Sequence, residues 1–568
     1  MLHARWLGRV RYEEALWLQR AVARRSASDY LLLMEHPHVY TTGRHGAPSN
    51  VLVGVSELEG GLLRVDRGGD VTYHGPGQLV GYPIVQVGRD YGVADHTANI
   101  EQLVIRVLGR LGIDAQRRAG LHGVWVAGSA PRKICSVGTR LQRGRTLHGF
   151  ALNVSTDLVR FEPIMPCGIE GVEMTSVRSE GSQASMAEIV SAVSEEAGGI
   201  WGCGGVDFAS VGWPLTQSGG TANEGERRSH DRSRSGGMAK GRSGEAPLLP
   251  RSLSAEALGP VAAHDVSPVQ GRIPLAAPVS RKPPWMRPKA SMGPAFAGLK
   301  AHLSGSGIVT VCEEAGCPNI FECYSAGTAT FMMNGDRCTR NCGFCLVDTR
   351  RPLAQDPDEP SRVARAVRAM GLGHVVVTTV ARDDLVDGGA GAMAEVVKQV
   401  RLVAPRAVVE LLISDLKGDR RALDTVFAAL PDVLNHNLET VARLQRAVRP
   451  QAGYARSLAV LARAAQAGLV VKSGLMVGLG ETYGELMQAM EDIRAAGATM
   501  LTVGQYLRPS RSKVAVVRWW EPEEFGHIAS AGYGMGFSHV AAAPLARSSY
   551  HAREGYAARG SSSTSEVS

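Results

Sequence analysis

The chain has 568 residues, and 62 Lys and Arg against 54 Asp and Glu leave a formal charge of +8. That mild excess, with no Lys/Arg block and no basic–aromatic interleaving, does not mark a nucleic-acid binder. The hydrophobic share of 44% excludes the disordered class, and about 150 residues per domain predicts two to four domains.

No run of about 18 uncharged apolar residues is present to cross a membrane. The basic opening Met1–Arg11 lacks the apolar core of a secretion signal, and Glu13 and Glu14 follow too early for a mitochondrial presequence. Six of the nine cysteines fall within 34 residues. Such clustering argues for metal and catalytic use in a reducing compartment rather than for disulfides. The expected location is therefore cytoplasmic.

From residue 1 to about 210, apolar runs such as Leu31–Met34 and Leu79–Val87 are broken by glycine-rich turns. One turn opens RGGDVTYHGPGQLVGYPI (Arg67–Ile84). Its glycines let a backbone approach a ligand closely. The run fits neither GxxxxGK[ST] nor GxGxxG, so nucleotide phosphate is not its predicted ligand. Cys167 sits between Pro166 and Gly168, where the main chain can turn sharply. A reactive thiol needs a neighbouring cation or helix N-terminus, and Lys133 in RKICSVGTR is the leading cation. Cys135 and Cys203 read as small buried hydrophobes.

With EHPHVYTTGRHG (Glu35–Gly46), KICSVG (Lys133–Gly138), HGFALNV (His148–Val154) and MPCGI (Met165–Ile169), this half resembles lipoyl(octanoyl) transferase over about 200 residues. The resemblance implies the α/β fold of the biotin- and lipoate-protein ligases. It also implies octanoyl transfer from acyl carrier protein to a lysine of lipoyl domains. Cys167 would carry the octanoyl thioester, and Lys133 would stabilise the thiolate and shuttle the proton. Arg67, Gly68, Gly69, Asp70, Val71, Thr72, Tyr73, His74, Ser136, Val137, Gly138, Gly149, Phe150 and Ala151 would line the acyl pocket, with His74 and His148 as hydrogen-bond donors. Cys135 stands where many relatives have a small residue. The rival reading of this half is an ATP-dependent lipoate- or biotin-type ligase.

Residues 211–280 change to Gly, Ser, Arg and Pro, with almost no aromatic residues to offset the entropy of ordering. They are expected to form a flexible linker reaching roughly 45 Å, from about 5–6 Å times the square root of its length. Six basic against three acidic residues in Ala222–Arg242 are too few for a nucleic-acid arm.

From 281 to 556, β-branched runs at Ala329–Met333, His374–Val380, Val408–Ile413, Leu469–Val471 and Met500–Val503 alternate with helical stretches such as Ser361–Met370 and Glu485–Ala496. Alternation of this kind predicts βαβ units and a parallel sheet, open or closed into a barrel. Residues 557–568 read as a polar tail. Cys338, Cys342 and Cys345 are spaced C-x3-C-x2-C, and Cys312, Cys317 and Cys323 are spaced C-x4-C-x5-C. Neither triad has the paired C-x2-4-C form of zinc sites. Three thiolates suit three corners of an iron–sulfur cubane and leave one iron open.

The first triad's spacing resembles the radical S-adenosylmethionine superfamily, in which the open iron binds the methionine moiety and reductive cleavage yields a 5′-deoxyadenosyl radical. The whole stretch Val311–Pro352, with RKPPWMRPK, ARDDLVDGGA, NHNLETV, KSGLMVGLGET, GQYLRPS and RSSYHA, resembles lipoyl synthase over about 275 residues. That resemblance implies a partial (β/α) barrel with two [4Fe-4S] clusters and S-adenosyl-L-methionine as cofactor. Cys312, Cys317 and Cys323 would hold the auxiliary cluster, with Ser549 of RSSYHA as its fourth ligand. The reaction implied is insertion of two sulfurs into a protein-bound octanoyl chain at C6 and C8. Partners implied are octanoyl-acyl carrier protein, lipoyl domains of 2-oxoacid dehydrogenase complexes, glycine cleavage H protein and a ferredoxin or flavodoxin donor; nucleic acid and membrane are not expected. Asp383, Asp384, Asp387, Asn437 and Glu439 are further polar candidates. A non-enzymatic iron–sulfur scaffold or redox sensor is the rival reading of this half.

Overall fold

The computed structural model describes residues 1–128, 132–211, 281–287, 293–303, 308–314, 317, 319–325, 329–549, 552 and 556. Almost all of the linker expected at 211–280 and the tail expected at 557–568 lie outside the described residues.

Alternating apolar residues in the first half build an eight-stranded mixed sheet. Its spatial order is Val206–Ser210, Leu2–Arg9, Asp29–Glu35, Gln78–Ile84, Arg145–Asn153, Arg132–Gln142, Leu121–Val126, Ala115–Arg118. The first three strands are parallel and the rest antiparallel. A small sheet of Leu62–Arg64, Val39–Thr42 and Thr72–His74 carries the glycine-rich turn beside it. One irregularity matters for chemistry. Val124 pairs with Cys135 while the next residue, Trp125, pairs with Lys133, so Ile134 is an extra residue on its strand. A bulge of this kind re-aims side chains, and here it lets both Lys133 and Ser136 face the same cavity while Ile134 and Cys135 enter the core.

The second half is an eight-stranded sheet in strict chain order, from Val309–Thr310 through Thr330–Met333, His374–Thr379, Val408–Leu412, Val433–Asn435, Val471–Val477 and Met500–Gln505 to His539–Ala543. All neighbours but the first pair are parallel, and the two edge strands do not pair with each other. With a helix in each crossover from Glu359–Ala369 onward, this is an open (β/α) barrel. The strand expected at Leu469–Val471 runs instead from Val471 to Val477, because Leu469 still bonds back to the preceding helix at Ala464.

The two halves pack together as one compact unit. Helix Tyr12–Arg25 is buried on nearly all sides, including Ala15, Trp17, Leu18, Ala21 and Val22. A helix apolar around its circumference needs cover on both faces. Here the first sheet covers one side, and helices Tyr454–Gln466 and Tyr483–Ala496 of the barrel cover the other. At its C-terminal end Arg25 donates to the Ala465 carbonyl (2.8 Å), and the Arg463 guanidinium lies 4.5 Å from the Trp17 ring centre. Arg5, only 1% exposed, pairs with Asp492 of the barrel (3.3 Å) and with Asp207 of its own half (2.9 Å). A shared apolar core thus joins the two halves.

Candidate active sites

In the first half, the Pro-Cys-Gly turn places Cys167 in the left-handed region (φ 58°), and its N–H donates to the Val71 carbonyl at 2.9 Å. The strained backbone holds the thiol toward the bulged strand. Lys133 Nζ donates to Cys167 Sγ at 3.0 Å, and the Ser136 hydroxyl lies 3.9 Å from the same sulfur. Lys133 is buried, with its ammonium 5.2 Å from the Trp125 ring centre. Gly123 makes room for it, since a Cβ there would stand 2.9 Å from Lys133 Cε. Cys135 lies wholly within the core, where burial pushes its thiol far up; Cys203 is likewise raised by burial.

Cys167 and Lys133 stand on the wall of a cavity of about 450 Å³. Arg67, Gly68, Gly69, Asp70, Thr72, His74, Ser136, Val137, Gly138, Gly149, Phe150 and Ala151 line it. Val71 and Tyr73, expected among them, do not; they alternate to the far face and pack with Tyr40, Phe161 and Ile164. Strand period two, which puts Thr72 and His74 inward, sends Tyr73 outward. Residues the motifs did not single out complete the wall, notably Tyr12, Val80, Tyr82 and Thr97. Gly149 is required by close approach, because a Cβ there would meet the Gly81 carbonyl at 2.0 Å.

His148 Nε2 is 2.9 Å from Asp66, yet burial and the cations Arg67, Arg20 and Arg140 hold it down to about 3. Burial and the neighbouring His36 lower His74 as well. Both imidazoles are neutral near pH 7. The Thr72 hydroxyl and His148 Nδ1, of residues on the wall, have no hydrogen-bond partner among the described residues.

In the second half, Cys312, Cys317, Cys338, Cys342, Cys345 and Ser549 line one cavity of about 510 Å³. Cys323 lies off its wall but near enough to Cys317 and Cys312 that, after burial, their charges help push its thiol up to about 12. Burial likewise raises Cys312 and Cys342 to about 11. Cys338 Sγ accepts from the backbone N–H groups of Arg340 and Ala381, each at 3.4 Å. Among the described residues, no three His, Cys, Asp or Glu converge on one ion. Sulfurs bound to separate corners of a cubane need no common centre, so the triads fit clusters better than a mononuclear metal. The cavity wall also carries polar atoms without partners among the described residues, at His436 Nε2, Asn437 Oδ1 and Thr502 Oγ1. Such atoms suit a polar ligand, since leaving them unpaired is costly.

The acidic run after the second parallel strand stays off the cavity wall. Asp383 forms a two-pronged bond to Arg340 (2.7 and 2.8 Å), Asp384 pairs with Arg382, and Asp387 accepts from the N–H groups of Gly389 and Gly391. Asn437 and Glu439 do line it. Asn437 Nδ2 donates both to Glu439 (3.1 Å) and to the Ser548 hydroxyl (3.0 Å), tying the RSSYHA segment to the strand end. Glu439 holds a left-handed backbone (φ 71°), and burial raises its carboxyl.

Residues 10–198 match the lipoyl protein ligase A/B catalytic domain, and residues 335–493 match the radical SAM superfamily. The chain is 50% identical over 277 residues to a lipoyl synthase of Beutenbergia cavernae, covering 49% of this chain and 83% of that protein. It is 52% identical over 275 residues to a lipoyl synthase of Mycobacterium avium, covering 48% and 90%. Among solved structures, a lipoate-protein ligase A bound with ATP aligns with 37% of this chain and 88% of that one, at 18% identity and a TM-score of 0.32. No helix among the described residues is long and apolar enough to cross a membrane.

Proposed function

Since the chain belongs, through its second half, to the lipoyl synthase family and carries a lipoyl protein ligase A/B catalytic domain before it, we propose that it builds the lipoyl group in two steps. It first transfers octanoyl from acyl carrier protein to a lipoyl-domain lysine, then inserts sulfur at C6 and C8. One observation carries the first step: a buried ammonium 3.0 Å from a cysteine sulfur on the wall of a largely apolar cavity. An ATP-dependent ligase activates its acid as an adenylate and has no need of that thiol.

Lys133 Nζ, a hydrogen-bond donor at 3.0 Å, is placed to exchange protons at Cys167. Its sulfur forms a bond to the octanoyl carbonyl carbon, the donor's carbon–sulfur bond breaks, and the departing thiolate takes the proton held by Lys133. The lipoyl-domain amine then bonds to that carbon, the Cys167 thioester breaks, and Lys133 receives the amine's proton. Val80, Phe150 and Ala151 enclose the acyl chain. His74 and His148, neutral near pH 7, add no charge beside it.

In the second half Cys338, Cys342 and Cys345 hold one [4Fe-4S] cluster, and Cys312, Cys317, Cys323 and Ser549 hold a second. When bound, the clusters and S-adenosyl-L-methionine supply the electron, the hydrogen-abstracting radical and the sulfur. The chain's own residues orient these groups. Backbone N–H groups of Arg340 and Ala381 donate to Cys338 Sγ and fix its orientation. His436, Asn437 and Thr502 carry wall atoms, unpartnered among the described residues, that would bond polar groups of S-adenosyl-L-methionine. Ser549 would supply the second cluster with an oxygen ligand, harder than the three thiolates. The acceptors are lipoyl domains, including those of 2-oxoacid dehydrogenase complexes and glycine cleavage H protein, and electrons come from a ferredoxin or flavodoxin.

The test is to incubate the reconstituted chain with octanoyl-acyl carrier protein, an apo lipoyl domain, S-adenosylmethionine and reductant, then weigh the lipoyl domain. Octanoyl and then lipoyl mass increments are expected. First-step activity that requires ATP and free octanoate would overturn the transferase reading. Absence of 5′-deoxyadenosine would overturn the second.

A further inference from the structure

The loop Asp415–Gly418 of the barrel is unusual. Leu416, Lys417 and Gly418 follow one another in the left-handed region at φ 45°, 52° and 65°. Two successive non-glycine residues there cost free energy, which surrounding contacts must offset. Some of those contacts come from the other half of the chain. Arg11, at the start of helix Tyr12–Arg25, donates through Nη2 to the carbonyls of Lys417 (3.2 Å) and Gly418. The same Nη2 bonds Glu14 Oε1 at 2.9 Å. A Cβ on Gly418 would stand 2.3 Å from Glu14 Oε1 and 2.5 Å from Arg11 Nη2. A side chain there would displace these two side-chain ends from their contacts with the loop.

From this loop two routes lead to the cysteine loop. Glu14 lies 3.4 Å from Arg456, which lies 3.7 Å from Asp415, and Asp415 pairs with Arg340 at 2.6 Å. Lys417 Nζ donates to the Asp383 carbonyl at 2.7 Å, and the Asp383 carboxylate grips Arg340 with two bonds. Arg340 lies between Cys338 and Cys342, and its own N–H bonds Cys338 Sγ. Asp415, Glu14 and Arg340 are all buried, so the Asp415–Arg340 pair is little screened by solvent.

We infer that Arg11 and Glu14 of the transferase half are positioning residues for the synthase half: by closing on Lys417 and Gly418 they hold Asp415 and Asp383 against Arg340, and thereby order the loop of Cys338, Cys342 and Cys345. This deepens the proposed function and rests on its assignment of that loop to a cluster. The docked first half is then a structural part of the second active site, not only the supplier of its substrate.

Peptide-resolved hydrogen–deuterium exchange on the full, cluster-free chain tests the inference without either reaction having to run. Arg11→Ala and Glu14→Ala are each expected to speed exchange at least tenfold in peptides covering 336–346 and 415–419. Arg11→Lys, which keeps the charge, should restore most of the protection. Arg25→Ala, which removes the Ala465 contact at the far end of the same helix, should leave both peptides unchanged. In the reconstituted chain, the change in the reduced cluster's paramagnetic resonance on adding S-adenosylmethionine should be weakened by Glu14→Ala and not by Arg25→Ala. Unchanged exchange at 336–346 in both alanine variants overturns the inference. So does equal loosening by Arg25→Ala, which would assign the effect to the interface as a whole.

Discussion

The two cavities are nearly equal in volume, about 450 and 510 Å³, yet they are completed by different kinds of matter. In the first, the pair we propose to react consists of protein atoms already in contact, Lys133 Nζ and Cys167 Sγ at 3.0 Å. In the second, five cysteines and a serine line a space on whose wall His436 Nε2, Asn437 Oδ1 and Thr502 Oγ1 have no partner among the described residues. The chemistry explains the contrast. Acyl transfer between thioester and amine lies within the range of side-chain acids, bases and nucleophiles. An unactivated C–H bond does not, so under the proposed function the protein's contribution there would be to hold and orient cofactors.

The largest expected effects separate the two cavities outright. Cys167→Ser should abolish the octanoyl adduct seen by intact mass, whereas Cys135→Ala should retain it, because that thiol lies in the core. Alanine at Cys338, Cys342 or Cys345 should stop 5′-deoxyadenosine formation while octanoyl transfer continues. Alanine at Cys312, Cys317, Cys323 or Ser549 should keep 5′-deoxyadenosine and lose the lipoyl product. A normal yield of lipoyl product from Ser549→Ala would remove that residue from the cluster.

Next in size, Lys133→Ala should slow both halves of acyl transfer by about 10²–10⁴-fold, the usual worth of general acid–base and electrostatic help. Its effect on 5′-deoxyadenosine should be nil; a comparable loss there would mean that the chain is simply misfolded.

The interface comes third. Cutting the chain with trypsin within residues 227–242 should leave two fragments that co-elute on size exclusion, held by the apolar seam around helix Tyr12–Arg25. Arg5→Ala leaves Asp492 buried with one partner fewer, a loss of about 3–5 kcal/mol for a broken buried pair. The cut Arg5→Ala protein should therefore separate at concentrations where the cut wild type does not.

The smallest effect per group is on pH. In the fold His36 and His96 titrate at about 4 and His148 at about 3, chiefly because burial disfavours the cation. The unfolded chain takes up those protons near 6.5, so stability is intact above that pH and is lost as pH falls toward the folded values. The slope is about 1.4 kcal/mol per pH unit for each imidazole. Among the described residues of the second half, His436 alone is lowered to a similar value, about 4. Hydrogen exchange compared at pH 7 and pH 5 should show the first sheet losing more protection than the barrel. Equal losses would refute this account.

Much of the chemistry was readable along the chain. The two cysteine spacings, Cys167 between proline and glycine, and the alternating apolar runs are local patterns, and local patterns survive as local structure. The side on which a residue finally sits was less readable. Val71 and Tyr73 lie within the right motif but turn away from the cavity, and Asp383 and Asp384 grip arginines rather than facing the ligand space. The extra residue at Ile134, which brings Lys133 and Ser136 to one wall, exists only in the pairing of two strands. Least readable of all was the docking of the halves. Arg5 with Asp492 and Glu14 with Arg456 are separated by more than 400 positions, and a low-complexity stretch between them suggests independence. Spacing along the chain is covalent and prints directly in the sequence; which buried charges meet across a shared core depends on how two finished sheets cover one helix, and only the tertiary structure decides that.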